Sequence, residues 1–202
     1  MLRLVQHQPQ RASYHVAMAL TAARMGSFAL AEQAMQAAIA LRPNDPVLYT
    51  QLAGVYGQAL FESPNGSAEK VEMAYRAYDK AIALAPTIAL TSQRYADFAL
   101  RSGNGALALA QAQRAVDLDA TDGISFAISG WTELQNGNLD MAQDAFLQAV
   151  KWRPDSADFH LGLATVYFQQ GNFDAAGQAV QQSLMLDPAY PPALTLQLHL
   201  EE

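Results

Sequence analysis

Apolar and small residues recur along the chain in a pattern that repeats at a fixed distance. Residues 171–188, GNFDAAGQAVQQSLMLDP, begin at a glycine, place apolar positions three or four residues apart and end at a proline. Equivalent stretches end at Pro154, Ala120, Pro86 and Pro43, and these ends are 34 residues apart except for one step of 43. Apolar spacing of this kind predicts amphipathic helices, and a period of this length predicts stacked helix pairs.

The period divides the chain into five predicted helix pairs, over residues 12–45, 46–88, 89–122, 123–156 and 157–190. Residues 1–11 match the end of a preceding helix, because Pro9 lies one period before Pro43. We therefore expect the chain to be cut from a longer one, with an N-terminal face open to self-association. Leucines alternate within residues 191–202, as in a strand, but this segment begins where another first helix is due. We predict a capping helix there.

The second pair is longer than the others at the turn between its two helices. Tyr56 and Ala74 are 18 residues apart, whereas the equivalent Tyr167 and Ala176 are 9 apart. Pro, Asn and Gly within Phe61–Ser67 indicate a turn. We predict that both helices of this pair extend beyond those of their neighbours. The insertion is open to two interpretations, a tolerated decoration or a contact site for a partner.

Composition limits the classes of partner. The 202 residues are 51% hydrophobic and carry a net charge of −7, which argues against nucleic acid because its binders need basic patches. Residues 1–101 hold nine basic and seven acidic side chains, whereas residues 102–202 hold three and twelve, a net charge of −9. This acidic half indicates either a solvated surface or attraction of a basic partner.

The sequence lacks the residues of several common kinds of site. There is no cysteine, so disulfides and thiolate metal sites are excluded, and the compartment stays open between cytoplasm and bacterial periplasm. No apolar run is long enough for a membrane helix. Nucleophile-elbow, phosphate-loop and zinc-protease motifs are missing, and His15 and His160 share one repeat position suited to packing. We expect no enzymatic activity, no metal and no cofactor.

The identities at the repeat positions resemble those of the tetratricopeptide repeat, whose helices carry Leu-Gly, Tyr, Ala and Pro at set places. The fifth pair matches at His160, Leu163, Ala164, Tyr167, Gly171, Ala176, Val180, Ser183 and Pro188. The fourth matches at Phe126, Ser129, Gly130, Glu133, Gly137, Ala142, Phe146, Ala149 and Pro154. The resemblance implies an all-α fold, a right-handed superhelical stack of antiparallel helix pairs that forms an α-solenoid.

The resemblance also implies that the first helices line a concave groove that holds a peptide or a helix. The positions that correspond to the groove are Arg94, Asp97, Arg101, Ile128, Trp131, Leu134, Gln135, Leu161, Thr165, Phe168 and Gln169. Trp131 and Phe168 are candidate anchors, and Arg94 and Arg101 could bind a carboxylate. The alternatives are that Trp131 packs on the next helix and that the arginines pair with Asp97.

The leading functional hypothesis is a bacterial protein-interaction scaffold that binds an extended or helical segment of a protein. One alternative is a soluble domain appended to a membrane enzyme of the O-antigen ligase or polymerase kind, since the long turn of the second pair resembles such domains. Another is an assembly factor for pili or secretion. The residues alone do not identify the partner.

Overall fold

The computed structural model of the protein describes residues 11–62 and 68–201, and all regular secondary structure in these ranges is helical. The prediction of an all-α fold is therefore confirmed. The helices are α1 (Ala12–Arg24), α2 (Phe28–Leu41), α3 (Pro46–Glu62), α4 (Ala68–Leu84), α5 (Ala89–Arg101), α6 (Gly105–Leu118), α7 (Gly123–Gln135), α8 (Leu139–Trp152), α9 (Ala157–Gln169), α10 (Phe173–Leu186) and α11 (Pro191–Glu201).

Two of the predicted features fall wholly or mainly outside these ranges. The expected remnant of a preceding helix, with its self-associating face, covers residues 1–11, of which only Arg11 is described. The centre of the inserted turn, residues 63–67, is also outside the described residues. The helices on either side of it are longer than their equivalents, as the insertion predicts. Both α3 and α4 have 17 residues, whereas the other first helices of the five pairs have 13 and the other second helices 14.

A glycine with positive φ closes the first helix of the first, third, fourth and fifth pairs. At Gly171, φ is 78°, and the amide groups of Gly171 and Asn172 donate to the carbonyls of Phe168 and Tyr167. These two hydrogen bonds form the Schellman motif. The motif requires one residue in the left-handed conformation, which glycine adopts without a steric penalty. The Asn172 side chain then accepts from the amide of Ala175 and caps α10. The repeated glycine thus sets the tight turn between paired helices.

The chain divides into two compact units, Met1–Tyr95 and Ala96–Glu202. We call them the N-terminal and C-terminal units. In the N-terminal unit, α1 packs on α2 and α3 on α4, around the fully buried Met35 and Leu48. The ring of Tyr78 stacks on that of Tyr95 at 4.8 Å. The Tyr56 hydroxyl donates to Glu32 at 3.0 Å, and both burial and the negative charge of Glu32 raise the pKa of Tyr56.

The core of the C-terminal unit is built around the ring of Phe146 on α8, which is fully buried. Gly130 on α7 and Gly162 on α9 lie against this ring from two sides, and a Cβ atom at Gly130 would meet it at 2.9 Å. Val166 and Val180 complete the same buried cluster. The small residues that the repeat pattern places on the first helices therefore make room for one large ring.

Shortly after Pro188, residues 191–201 form the helix α11, which packs on α10 and α9. Leu196 and Leu200 lie against the core cluster, whereas Leu194 and Leu198 are exposed. The contacting leucines are four residues apart and share one helix face, which is the helical period rather than the alternation of a strand. The helical interpretation of this segment agrees with the structure.

Candidate functional site

Trp131, the main candidate anchor, lies on α7 in the C-terminal unit with its indole partly exposed. The indole N–H donates to Oδ2 of Asp158 on α9 at 3.3 Å. Its ring meets the buried ring of Phe146 edge to face, with centroids 5.0 Å apart and planes at 80°. Such a contact stabilises the ring beyond the area it buries. Trp131 therefore does pack on a neighbouring helix, yet it keeps part of its surface accessible in a fixed orientation.

Asp158 links the indole to a second aromatic side chain. The hydroxyl of Tyr190, which lies just before α11, donates to Oδ1 of Asp158 at 3.0 Å. Burial, together with the negative charge of Asp158, raises the pKa of Tyr190 from 10.0 to about 12. A single carboxylate thus holds side chains from α7 and from the segment that leads into α11.

Stability at alkaline pH should report on this contact. Because the folded protein holds the Tyr190 proton more tightly than the unfolded chain, the contact stabilises fully below pH 10 and is lost as pH rises towards about 12. The free energy of unfolding should therefore fall more steeply over this interval for the wild type than for Tyr190→Phe. Urea unfolding of both proteins at a series of pH values measures this difference in slope. The other tyrosines are present in both proteins, so their contributions cancel in the comparison. Parallel curves would show that the contact is not formed.

Phe168 extends the partly exposed aromatic surface on α9. Its ring meets that of Phe173, at the start of α10, with centroids 5.7 Å apart and planes at 66°. Phe168 is half-buried, and Phe173 has 58% of its surface exposed. Phe173 was not among the residues predicted from the repeat pattern, because it follows the turn rather than lying on a first helix. The pair forms an apolar patch at the end of α9.

The remaining predicted positions on α7 and α9 differ in accessibility. Leu134 is half-buried against the core cluster, and the Thr165 hydroxyl donates to the carbonyl of Leu161 within its own helix at 2.8 Å. Gln135 and Gln169 are exposed at the ends of their helices. The two glutamines are therefore available to a ligand, whereas Leu134 and Thr165 contribute mainly to packing and to the helix itself.

Two predicted groove residues are buried, and the structure corrects the prediction for them. Ile128 is 4% exposed and packs into a cluster with Ala96, Ala99, Ala108 and Ala112, whose small side chains leave space for it. Leu161 is 6% exposed on α9, a helix that packs on both α7 and α11. Neither side chain can reach a ligand in this conformation.

The charged residues of the predicted groove lie on α5. Arg101 pairs with Asp97 one turn earlier at 3.8 Å, and both side chains are about half exposed, so the intrahelical alternative describes this pair. Partial burial raises the pKa of Asp97, and the guanidinium of Arg101 opposes that shift. An exposed pair of this kind stabilises a helix by only about 0.3–0.5 kcal/mol. Arg94 belongs to the N-terminal unit and is exposed.

Asp158 and Tyr190 are the positioning residues that the sequence analysis missed. The repeat positions equivalent to Asp158 are Ser13, Val47, Leu90 and Ile124. A carboxylate at a position that is mostly apolar in the other pairs is the signal that could have identified it. Among residues 11–62 and 68–201, no group of three His, Asp or Glu side chains could hold a metal ion. No helix in the described part of the chain is long and apolar enough to cross a membrane.

The period, the turn glycines and the paired helices define an α-helical repeat protein. Models of the tetratricopeptide repeat match residues 12–45 and residues 129–193. The matched stretches include parts of both compact units, and the steps of 34 residues between Pro86, Ala120 and Pro154 continue the same period through the residues between them. The chain is a tetratricopeptide-repeat protein.

Solved structures with a similar fold include other proteins of this class. The chain is similar to one chain in the structure of the APC/C hetero-tetramer Cut9–Hcn1, with a TM-score of 0.77 and 19% identity. The likeness covers 98% of this chain but only 38% of the matched one. It is similar to YrrB, described as a TPR protein with an unusual peptide-binding site, with a TM-score of 0.66, 18% identity and 98% and 97% of the two chains covered.

The third similar structure is PilW, described as a widely conserved type IV pilus biogenesis factor. Its TM-score is 0.78 at 16% identity, with 94% of this chain and 84% of that chain covered. At these identities the likeness establishes the fold. No curated protein matches the sequence.

Proposed function

We propose that the chain is a protein-interaction scaffold that binds an extended or helical segment of a partner along α7 and α9. The observation that carries this proposal is the state of Trp131, whose ring is oriented by Asp158 and Phe146 while part of it stays exposed. An aromatic side chain that is already held in place loses little conformational entropy on binding. Such pre-ordered aromatic residues are typical binding hot spots.

The side chains on α7 and α9 support a segment rather than a small ligand. Besides Trp131, Phe168 with Phe173 provides an apolar patch on the next helix pair, and Gln135 and Gln169 are exposed amides at the ends of the two helices. Apolar anchors spaced along neighbouring elements, with amides that bond a backbone, suit an extended peptide or one face of a helix. No charged side chain is required among these contacts, which separates this surface from a carboxylate clamp.

Peptides selected from a displayed library of short random sequences provide the test. We expect a class of the selected peptides to bind the wild-type chain and to lose at least about 1 kcal/mol of binding free energy with Trp131→Ala or Phe168→Ala. Fluorescence anisotropy of labelled peptides measures the affinities, and far-UV circular dichroism confirms that each variant is folded. Leu30→Ala, at an exposed leucine on α2 that lies outside both surfaces, is the control and should leave affinity unchanged. Equal affinity for all four proteins would contradict the proposal.

An assembly factor for pili or secretion is the second candidate. It is favoured by the likeness in fold to PilW, whose described role is in pilus biogenesis. Binding of pilus or secretion components to the surface of α7 and α9 would support this narrower role. Deletion of the gene with no effect on pilus assembly or on secretion would argue against it, without bearing on peptide binding itself.

A further inference from the structure

A groove of the C-terminal unit, distinct from the surface on α7 and α9, lies between the helices α6 and α8. The helix α7 forms its floor. Its volume is about 810 Å³, and Phe126, Ser129 and Glu133 form the floor. Leu109 lines one wall, while Met141 and Leu147 line the other with 58% and 41% of their surfaces exposed. Flexible and branched apolar side chains around an open groove are a common feature of surfaces that bind protein segments.

The repeat allows a direct comparison with the same position in the N-terminal unit. The equivalent groove there has a volume of about 290 Å³. Ser129 and Glu133 stand where the second pair has Leu52 and Tyr56 and where the fifth pair has Leu163 and Tyr167. Two bulky side chains that fill this space in the second and fifth pairs are thus replaced by a small one and a shorter one. The smaller side chains at Ser129 and Glu133 contribute to the larger volume, and so does the wall of α6, since the residues that line the smaller groove all come from α3 and α4.

Charge differs between the two grooves as well. The groove of the N-terminal unit is lined by Arg76 and Lys80. At the equivalent repeat positions, the groove between α6 and α8 has Asp144 and Gln148. Residues 102–202 as a whole carry a net charge of −9. A potential of this sign favours an approaching basic segment and disfavours an acidic one.

Glu133 gives the larger groove a specific polar contact. It is 7% exposed, and Asn138 donates to its Oε2 at 2.7 Å. Within the described ranges, Asn138 is its one side-chain partner. A buried carboxylate is stabilised by each additional donor that reaches it, and a cation does this most strongly. Asp144, on the wall of the same groove, adds a second acidic group.

We infer that the groove between α6 and α8 binds a segment of a partner protein in which a large apolar side chain lies beside a lysine or an arginine. The apolar side chain occupies the space left by Ser129, and the cation pairs with Glu133 and Asp144. This site is separate from the surface on α7 and α9 that contains Trp131, and it does not depend on the function proposed for that surface.

A variant with bulkier residues at these two positions tests the inference. Ser129→Leu combined with Glu133→Tyr introduces the side chains of the fifth pair, so the fold is retained while the groove is filled. We expect a displayed library of short random peptides, selected against the wild-type chain, to contain a class of peptides that combine leucine or phenylalanine with lysine or arginine. This class should lose at least about tenfold in affinity for the filled variant.

A charge variant and a matched control separate the contribution of the Glu133 charge from that of the groove volume. Glu133→Gln keeps the size of the side chain and should weaken the same peptides while sparing uncharged ones. Lys80→Gln, which gives the groove of the N-terminal unit the residue found in the other groove, should have no effect. Peptides of the α7 and α9 surface should respond to Trp131→Ala and not to the filled variant, so the two proposals fail independently.

Three outcomes would overturn the inference. The selection could yield no basic apolar peptides, or such peptides could bind the filled variant with unchanged affinity. Sedimentation could instead show a dimer of the wild type that the filled variant cannot form, which would identify the occupant as a second copy of this chain. Each result is measured on the full chain, with far-UV circular dichroism to confirm that the variants are helical.

Discussion

Phe146→Ala should destabilise the C-terminal unit by about 3–5 kcal/mol, the range for removing a fully buried aromatic side chain. The ring of Phe146 is enclosed by Gly130, Gly162 and Trp131, so its loss leaves a cavity that backbone atoms on two sides cannot easily close. Native-state hydrogen exchange of the amides in α7, α8 and α9 measures the effect locally. A local measurement is preferable because cooperativity can break down along a repeat array.

The neighbouring residue provides the control for this prediction. Leu147 is exposed on the same helix, so Leu147→Ala removes a side chain of similar chemistry without opening a cavity. Its effect should be within about 0.5 kcal/mol, as is usual for surface substitutions. If both variants lowered the protection of α7 and α9 equally, the ring of Phe146 would not be the centre of this core.

Gly162→Ala should also be strongly destabilising, although alanine is the better helix former. A Cβ atom at this position would overlap the ring of Phe146, which is fully buried and has no free space to move into. Overpacking of this kind costs about 1–3 kcal/mol, against a gain of about 1 kcal/mol from helix propensity. Because the overlap here is with the rigid body of a ring, we expect the upper end of that range.

Gly177 on α10 is a matched control, since no atom lies within 4 Å of a Cβ placed there. Gly177→Ala should therefore stabilise the protein by up to about 1 kcal/mol. The cause of the difference can be isolated with a double-mutant cycle, because Gly162→Ala should no longer destabilise a protein that already carries Phe146→Ala. If Gly162→Ala resembled Gly177→Ala in the wild-type background, the close packing of α9 on Phe146 would be refuted.

Most of the fold follows from the sequence because the repeat multiplies weak local signals. A glycine such as Gly171 or a proline such as Pro154 is a weak indication of a helix end when it is taken alone. Recurrence of the same residues every 34 positions fixes the alternation of helices and turns. The length of α3 and α4 could be predicted for the same reason, since nine residues out of register have to be accommodated between Tyr56 and Ala74.

The candidate site was less predictable, because accessibility depends on what neighbouring pairs contribute. Ile128 occupies a position that faces the groove in the family, but the alanines of α5 and α6 leave space that draws it into the core. Tyr190 and Asp158 are 32 residues apart, and only the stacking of successive first helices brings them together. The open groove above Glu133 likewise depends on the sizes of residues from three helices.

The central claim, that a partner segment binds along α7 and α9, is tested most directly by the fluorescence of Trp131. The chain has two tryptophans, so Trp152→Phe leaves Trp131 as the sole reporter. Titration of this variant with a selected peptide that binds the Ser129→Leu, Glu133→Tyr variant with unchanged affinity should shift and saturate the emission at the Kd obtained by anisotropy. Saturable peptide binding with no change in the emission of Trp131 would contradict the account.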